Sequence, residues 1–277
     1  MSDVFPGGVH DPVQHPQMLV DSAADDAEWS FSLAFSGYGK VGRKAKVAAI
    51  ILAGGSGQRF GADGGKQMVG IDGHPMLSWS LSAFDFVEDI GLIVVVCPKE
   101  RMEEYRTRAI EPYPFVTPIA LAPAGDSRQE SAFNGLEATP EEFEFVAMHD
   151  GARPLITPAL IEHTINTLKG TIDADGAIVA TPAIDTLKVV QNGAIVGTPD
   201  RTMFWNAQTP QVFRAGVYRR AQAGALRDGF LGTDDSSLLE RMGGKVLVVE
   251  GKRDNIKLTV PEDYTVLSAV VQGTSLR

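Results

Sequence analysis

A strand-like apolar run, Val47 to Ala53, leads directly into Gly54-Gly55-Ser56-Gly57-Gln58-Arg59-Phe60-Gly61, and Gly64-Gly65-Lys66-Gln67 follows shortly after. Glycines let a backbone approach a phosphate chain closely, and their amides can point inward as donors. Arg59 and Lys66 place two positive charges in the same loop, which suits a triphosphate better than the plain alternative of a flexible strand-to-helix turn. Two familiar glycine motifs do not fit. A P-loop needs Ser or Thr after Gly-Lys, and Gly65-Lys66 is followed by Gln67. The dinucleotide fingerprint would put Phe60 where helix packing requires a glycine.

A second cluster ends another apolar run: Met148-His149-Asp150-Gly151-Ala152-Arg153-Pro154. Ligands of open α/β sheets bind beyond the carboxyl ends of strands, so Asp150 is a candidate to position magnesium or the hydroxyls of an acceptor; its structural alternative is a turn cap. His149 reads as structural, because no neighbouring His, Cys or carboxylate pattern completes a transition-metal site. Further polar stretches follow: Gly125-Asp126-Ser127-Arg128-Gln129-Glu130-Ser131, Asp200-Arg201, Gln208-Thr209-Pro210-Gln211, Thr233-Asp234-Asp235 and Asp254-Asn255-Ile256-Lys257-Leu258-Thr259. Each alone is a polar loop or helix cap, and Ser127 with Glu130 forms a capping box.

The elements that must position these residues alternate. Val47 to Ala53, Ile90 to Cys97, Phe143 to His149 and Ala177 to Ala180 read as strands buried on both faces, and Pro75 to Phe84 and Ser127 to Ala138 read as helices. That alternation implies a mainly parallel α/β sheet with helices on both faces. Asp185 to Val190 and Ala194 to Val196 flank Asn192-Gly193, the strongest two-residue hairpin signal. Such an arm is marginal alone, so it is expected to project and pack on a second copy of the chain. Ala215 to Arg227, Ser236 to Met242 and Pro261 to Val271 read as helices, and Lys245 to Val249 and Ile256 to Thr259 as strands. Residues 1–46 carry no lasting periodicity and read as a flexible N-terminal extension; residues 47–273 read as one domain, with the arm at about 184–206.

The 25 basic and 35 acidic side chains give a net charge of −10, which argues against a nucleic-acid-coating surface or a polybasic membrane anchor. Cys97, the only cysteine, permits no intrachain disulfide and suits a reducing, cytoplasmic setting; it reads as an ordinary buried residue. No apolar run reaches the roughly 18 residues of a membrane span.

With these residues in order, the chain from about Val47 to Val271 resembles the 2-C-methyl-D-erythritol 4-phosphate cytidylyltransferases. The resemblance rests on LAGGSGQRF with its downstream GKQ, then GDSRQES, HDGARP, DTLK, DRTMFWNAQTPQVF, TDD and EGKRDNIKLTVPED. It implies a Rossmann-like nucleotidyltransferase sheet and transfer of CMP from CTP to a polyol phosphate, with magnesium as cofactor. It implies further that Gly54, Gly55, Ser56, Gly57, Arg59 and Lys66 hold the triphosphate, Arg59 and Lys66 being the catalytic pair. Gly125, Asp126 and Ser131 would contact the cytosine and ribose. Asp150, Arg153, Thr209 and Lys257 would bind the acceptor, with Thr186 and Arg201 reaching over from the partner of a homodimer. Gly151 departs from the family in standing where many relatives have alanine. Ribitol-5-phosphate cytidylyltransferases share several of these motifs and are the alternative reading. An acceptor that is already an ionised phosphate monoester needs no general base, which accounts for the lack of a triad. Magnesium would be held mainly by the triphosphate, with Asp150 nearby.

Overall fold

The computed structural model describes residues 45–55 and 65–275. The expected N-terminal extension, with the exception of Ala45 and Lys46, lies outside the described residues, as do Ser56, Gly57 and Arg59.

The core strand β1 (Val47–Leu52) is buried along its whole length. It pairs in parallel with β4 (Ile90–Cys97) on one side and β6 (Phe145–Asp150) on the other. Two-residue strands β2 (Gly70–Ile71) and β3 (His74–Pro75) form a small hairpin between them in sequence. The main sheet is completed by β5 (Ile119–Pro123), β7 (Gly176–Pro182), β10 (Trp205–Arg214) and β11 (Val246–Glu250), in the order β11-β7-β10-β6-β1-β4-β5. Residues alternate between its faces. Val47, Ala49 and Ile51 pack with helices α1 (Met76–Phe86) and α4 (Pro158–Gly170). Ile50 and Leu52 pack on the opposite face with α3 (Arg128–Glu137), α5 (Ala215–Arg227) and α6 (Ser236–Arg241). Each fully buried aliphatic side chain in these layers contributes about 1.5–3 kcal/mol of transfer free energy, so strands with two apolar faces belong at the centre.

β10 is the one antiparallel member of this sheet, against both β6 and β7. Its direction follows from connectivity. β7 and β10 are joined not by a crossover helix but by the arm, whose base is closed by a hydrogen bond from Ala183 N to Phe204 O at 2.9 Å. The arm itself is a separate two-stranded sheet, β8 (Val189–Gln191) with β9 (Ala194–Gly197). Asn192 and Gly193 turn it with φ of 50° and 79°, the left-handed pair that the hairpin signal demands. Its apolar residues are exposed, Ile195 at 64% and Val196 at 55%.

Several element ends shift by one or two residues, and the arm's first strand is Val189–Gln191 where Asp185–Val190 was expected. Ser127 and Ala138 are the caps of α3 rather than helical residues, and Ser127 Oγ accepts from Glu130 N as the capping box requires. Ile256–Thr259 is not a strand. Its apolar members alternate with Lys257 and Thr259 because Leu258 packs into a small cluster with Ala152 and Leu155 while Lys257 reaches Asp150. Among the described residues its one backbone hydrogen bond to the turn after β6 runs from Leu258 N to Ala152 O at 2.8 Å, and the chain then enters α7 (Pro261–Ser275), where Asp263 accepts from Thr259 N and Val260 N. α2 (Met102–Tyr105) continues into a single wide turn at Arg106–Ile110.

Candidate active site

The site lies at the carboxyl ends of β1, β5 and β6. Gly54 leaves β1 so close to β5 that a Cβ there would stand 2.3 Å from the Cβ of Ala124 and 3.8 Å from Ser131 Oγ. Only glycine fits that approach. Gly125 is held next to it: its amide donates to Ser131 Oγ at 3.0 Å, and a Cβ on Gly125 would collide with Glu130. Glu130 in turn accepts from Asp126 N at 2.8 Å. Gly54, Gly125, Asp126 and Ser131 thus converge at the start of α3. Gly55 and Gly65, the described ends of the glycine-rich loop, both border the buried side chain of Gln67, and Arg101 Nη1 lies 2.9 Å from the position of a Cβ on Gly65.

Asp150, the last residue of β6, is the electrostatic centre. Its carboxylate accepts from Lys257 Nζ at 2.6 Å and from Arg128 Nε at 3.3 Å. Burial alone would raise its pKa, but Arg128, Lys257 and Arg153 reverse the sign and hold the carboxyl well below the usual range. Its amide donates to Thr209 Oγ1 at 3.1 Å. Thr209 comes from β10 at the place where the pairing with β7 is interrupted between Ala207 and Gln211, and such a bulge re-aims a side chain out of the ladder. Arg153 Nη1 donates to Asn255 O at 2.6 Å, and burial lowers the guanidinium pKa. Among the described residues Arg153 Nε and Asn255 Oδ1 are buried without a hydrogen-bond partner, polar atoms that a ligand could satisfy. Lys66 donates to Leu258 O at 2.6 Å, so the loop lysine is fastened to the segment that carries Lys257.

Asp150, Arg153, Thr209 and Lys257 are therefore brought together, with Lys66 beside them. Thr186 and Arg201 are not. Both are exposed on the arm, Arg201 Nη1 bonds Ile184 O at 2.7 Å, and no described hydrogen bond or ion pair ties either to the cluster. Cys97 is buried, and burial pushes its thiol up to about 12, as expected of an inert core residue.

Three participants escape a reading of single motifs. Arg128 bridges Asp150 and Asp235, its Nη2 lying 2.8 Å from Asp235 Oδ2. Asp235 accepts from Tyr218 Oη at 2.5 Å, which accepts from Gln222 Nε2 at 2.7 Å. Asn255 Nδ2 donates to Gln208 Oε1 and Thr209 O. The GDSRQES, TDD and DNIKLT stretches are thus one network, a fact their separate positions in the sequence do not reveal.

A family model described as 2-C-methyl-D-erythritol 4-phosphate cytidylyltransferase matches residues 47–273. The chain belongs to this family. A cytidylyltransferase of that name from Syntrophotalea carbinolica is 43% identical over 224 residues, 80% of this chain and 95% of the relative. One from Geotalea uraniireducens is 39% identical over 83% of this chain and 98% of the relative. Among solved structures, the 4-diphosphocytidyl-2C-methyl-D-erythritol synthase of Anaerococcus prevotii superposes with a TM-score of 0.72 at 32% identity, covering 82% of this chain and 99% of that one. The cytidylyltransferase of Thermus thermophilus gives 0.66 at 28% identity. The mainly parallel, Rossmann-like sheet of this cytidylyltransferase family is the fold expected from the sequence.

Among the described residues no helix is long and apolar enough to cross a membrane, and no group of three or more His, Cys, Asp or Glu is arranged to hold a metal ion.

Proposed function

We propose that this chain transfers CMP from CTP to 2-C-methyl-D-erythritol 4-phosphate, releasing pyrophosphate, in the synthesis of isoprenoid precursors. The observation that carries the reading is the convergence of Asp150, Arg153, Thr209 and Lys257 beyond β6, with Lys66 bonded to the same segment as Lys257. In this reaction an acceptor phosphate oxygen forms a bond to the α-phosphorus of CTP, and the bond from that phosphorus to the bridging oxygen of the β-phosphate breaks. The nucleophile is already ionised, so the obstacles are repulsion between two anions and the charge that accumulates on the departing pyrophosphate.

The residues divide accordingly. Gly54, Gly55 and Lys66 would hold the triphosphate together with Ser56, Gly57 and Arg59; Gly125, Asp126 and Ser131 would receive the cytosine and ribose. Lys257 and Arg153 would face the acceptor, and Thr209 and the ionised Asp150 would orient it in line. Asp150 is a hard anionic donor and fits a magnesium ion that takes most of its other ligands from phosphate and water. Bound there, magnesium would neutralise phosphate charge. The exposed apolar arm supports a homodimer in which Thr186 and Arg201 complete the partner's acceptor site. A cytoplasmic location accords with the lone buried Cys97.

Phosphorus NMR of a reaction containing CTP, magnesium and 2-C-methyl-D-erythritol 4-phosphate tests the reaction type. The expected spectrum gains a new diphosphodiester pair and free pyrophosphate in equal amounts. Release of inorganic phosphate alone would overturn the reading.

A further inference from the structure

His149 is wholly enclosed, its ring packed 5.0 Å from that of Phe84, yet both of its nitrogens are engaged. Nε2 lies 3.2 Å from Arg153 O, and Nδ1 lies 3.0 Å from Thr209 Oγ1. The direction of every bond follows from what each atom can do. A carbonyl only accepts, so Nε2 carries the proton. The ring is wholly buried and among the described residues no carboxylate bonds it, so it is neutral, and Nδ1 has a lone pair and can only accept. The Thr209 hydroxyl therefore donates its single proton to Nδ1, and its oxygen remains to accept from Asp150 N at 3.1 Å. The resulting relay runs from the Asp150 amide through the Thr209 hydroxyl and the imidazole to the Arg153 carbonyl. It closes on itself, since Arg153 N donates to Asp150 O at 2.9 Å.

We propose that His149 is a positioning residue of the acceptor site, locking the Thr209 rotamer and hydroxyl and fixing the turn that carries Asp150 and Arg153. The proposal rests on the reading of Thr209 as an acceptor-binding residue. It adds a role in the site to the structural one expected of His149. β6 and β10 are joined here by side chains beyond the last ladder pair, Gln211 with Met148, and the imidazole bonds both the Thr209 hydroxyl and the Arg153 carbonyl.

The test is a cycle in the full chain: His149→Phe, His149→Asn, Thr209→Val and the His149→Phe/Thr209→Val pair, each followed by pyrophosphate release with CTP and 2-C-methyl-D-erythritol 4-phosphate and by thermal unfolding. His149→Phe should raise the acceptor KM about tenfold, the loss expected of one oriented hydrogen bond, with the CTP KM within about twofold. His149→Asn, whose Oδ1 can stand in for Nδ1, should recover at least about threefold of that loss. In the Thr209→Val background His149→Phe should add less than about threefold. Should His149→Phe not fold, His149→Leu, which likewise removes both bonds of the ring, closes the same cycle, and additivity with Thr209→Val overturns the proposal. Equal effects on both KM values, or full additivity beside a costly Thr209→Val, would also overturn it while leaving the site reading intact. A silent Thr209→Val would overturn the site reading and the proposal with it.

Discussion

Replacing Arg128 with Met removes the guanidinium shared by Asp150 and Asp235. The Asp235 carboxylate is 1% exposed and, among the described residues, would keep only the Tyr218 hydroxyl. Removing one partner of a buried ion pair typically costs about 3–5 kcal/mol, because the other charge is left uncompensated. Arg128 is about one-third exposed, so solvent entry places the expected loss near the lower end, about 3 kcal/mol. Asp235→Asn added to Arg128→Met removes the stranded charge and retains an oxygen for Tyr218, so the double variant should return to within about 1.5 kcal/mol of the parent. Its acceptor KM should stay raised, because Asp150 still lacks one of its cations. Urea unfolding of the four proteins at constant pH gives the coupling energy, and the same preparations give KM values. If the two substitutions destabilise additively, the buried pair is not the source of the cost. If the acceptor KM recovers together with stability, Arg128 acts on the fold and not through Asp150.

Other outcomes follow from the same geometry. Lys66→Ala should lower kcat by about 10²- to 10³-fold, the usual cost of one preorganised donor to developing charge, with a smaller change in the CTP KM; kcat within about threefold of the parent would remove Lys66 from the chemistry. Mixing Lys66→Ala chains with Arg201→Ala chains should restore part of the activity if sites are shared between subunits, and no restoration speaks against the shared site. The buried imidazole of His149 sets a pH dependence of stability. Its pKa of about 3 in the fold lies below the unfolded value of about 6.5, so the unfolded chain alone takes up a proton as pH falls through that window. Between pH 7.5 and 5.0 the parent should lose about 2 kcal/mol more than His149→Asn in urea unfolding, and equal losses would contradict the assignment.

Much of this architecture was legible because it is local. β1 running into glycines, the Asn192-Gly193 turn and the Ser127 capping box each carry their signal within a few residues. Asp150 was legible as a strand-end carboxylate for the same reason. The missing pieces are those set by distant contacts. β10 is broken by Gln208-Thr209-Pro210, so its apolar pattern does not persist, and only its pairing with β6 and β7 defines it as a strand. Ile256–Thr259 has the period-two alternation of a strand, but the alternation reflects a core cluster on one side and Asp150 on the other. α4 did offer a local signal in Thr157, whose side chain caps Leu160 N ahead of Pro158 at the first turn. The Arg128 bridge joins residues 22 positions apart at one end and α3 to the cap residue of α6 at the other, so no single motif announces it.

The most direct measurement of the central claim is a kcat/KM matrix for the full chain, crossing CTP, UTP, ATP and GTP with 2-C-methyl-D-erythritol 4-phosphate and D-ribitol 5-phosphate in the presence of magnesium. CTP with 2-C-methyl-D-erythritol 4-phosphate should give the highest value if, as proposed, the cluster of Asp150, Arg153, Thr209 and Lys257 and the close approach of Gly54 to Ala124 serve one cytidylyl transfer. A higher value for ribitol 5-phosphate, or for ATP over CTP, would contradict it.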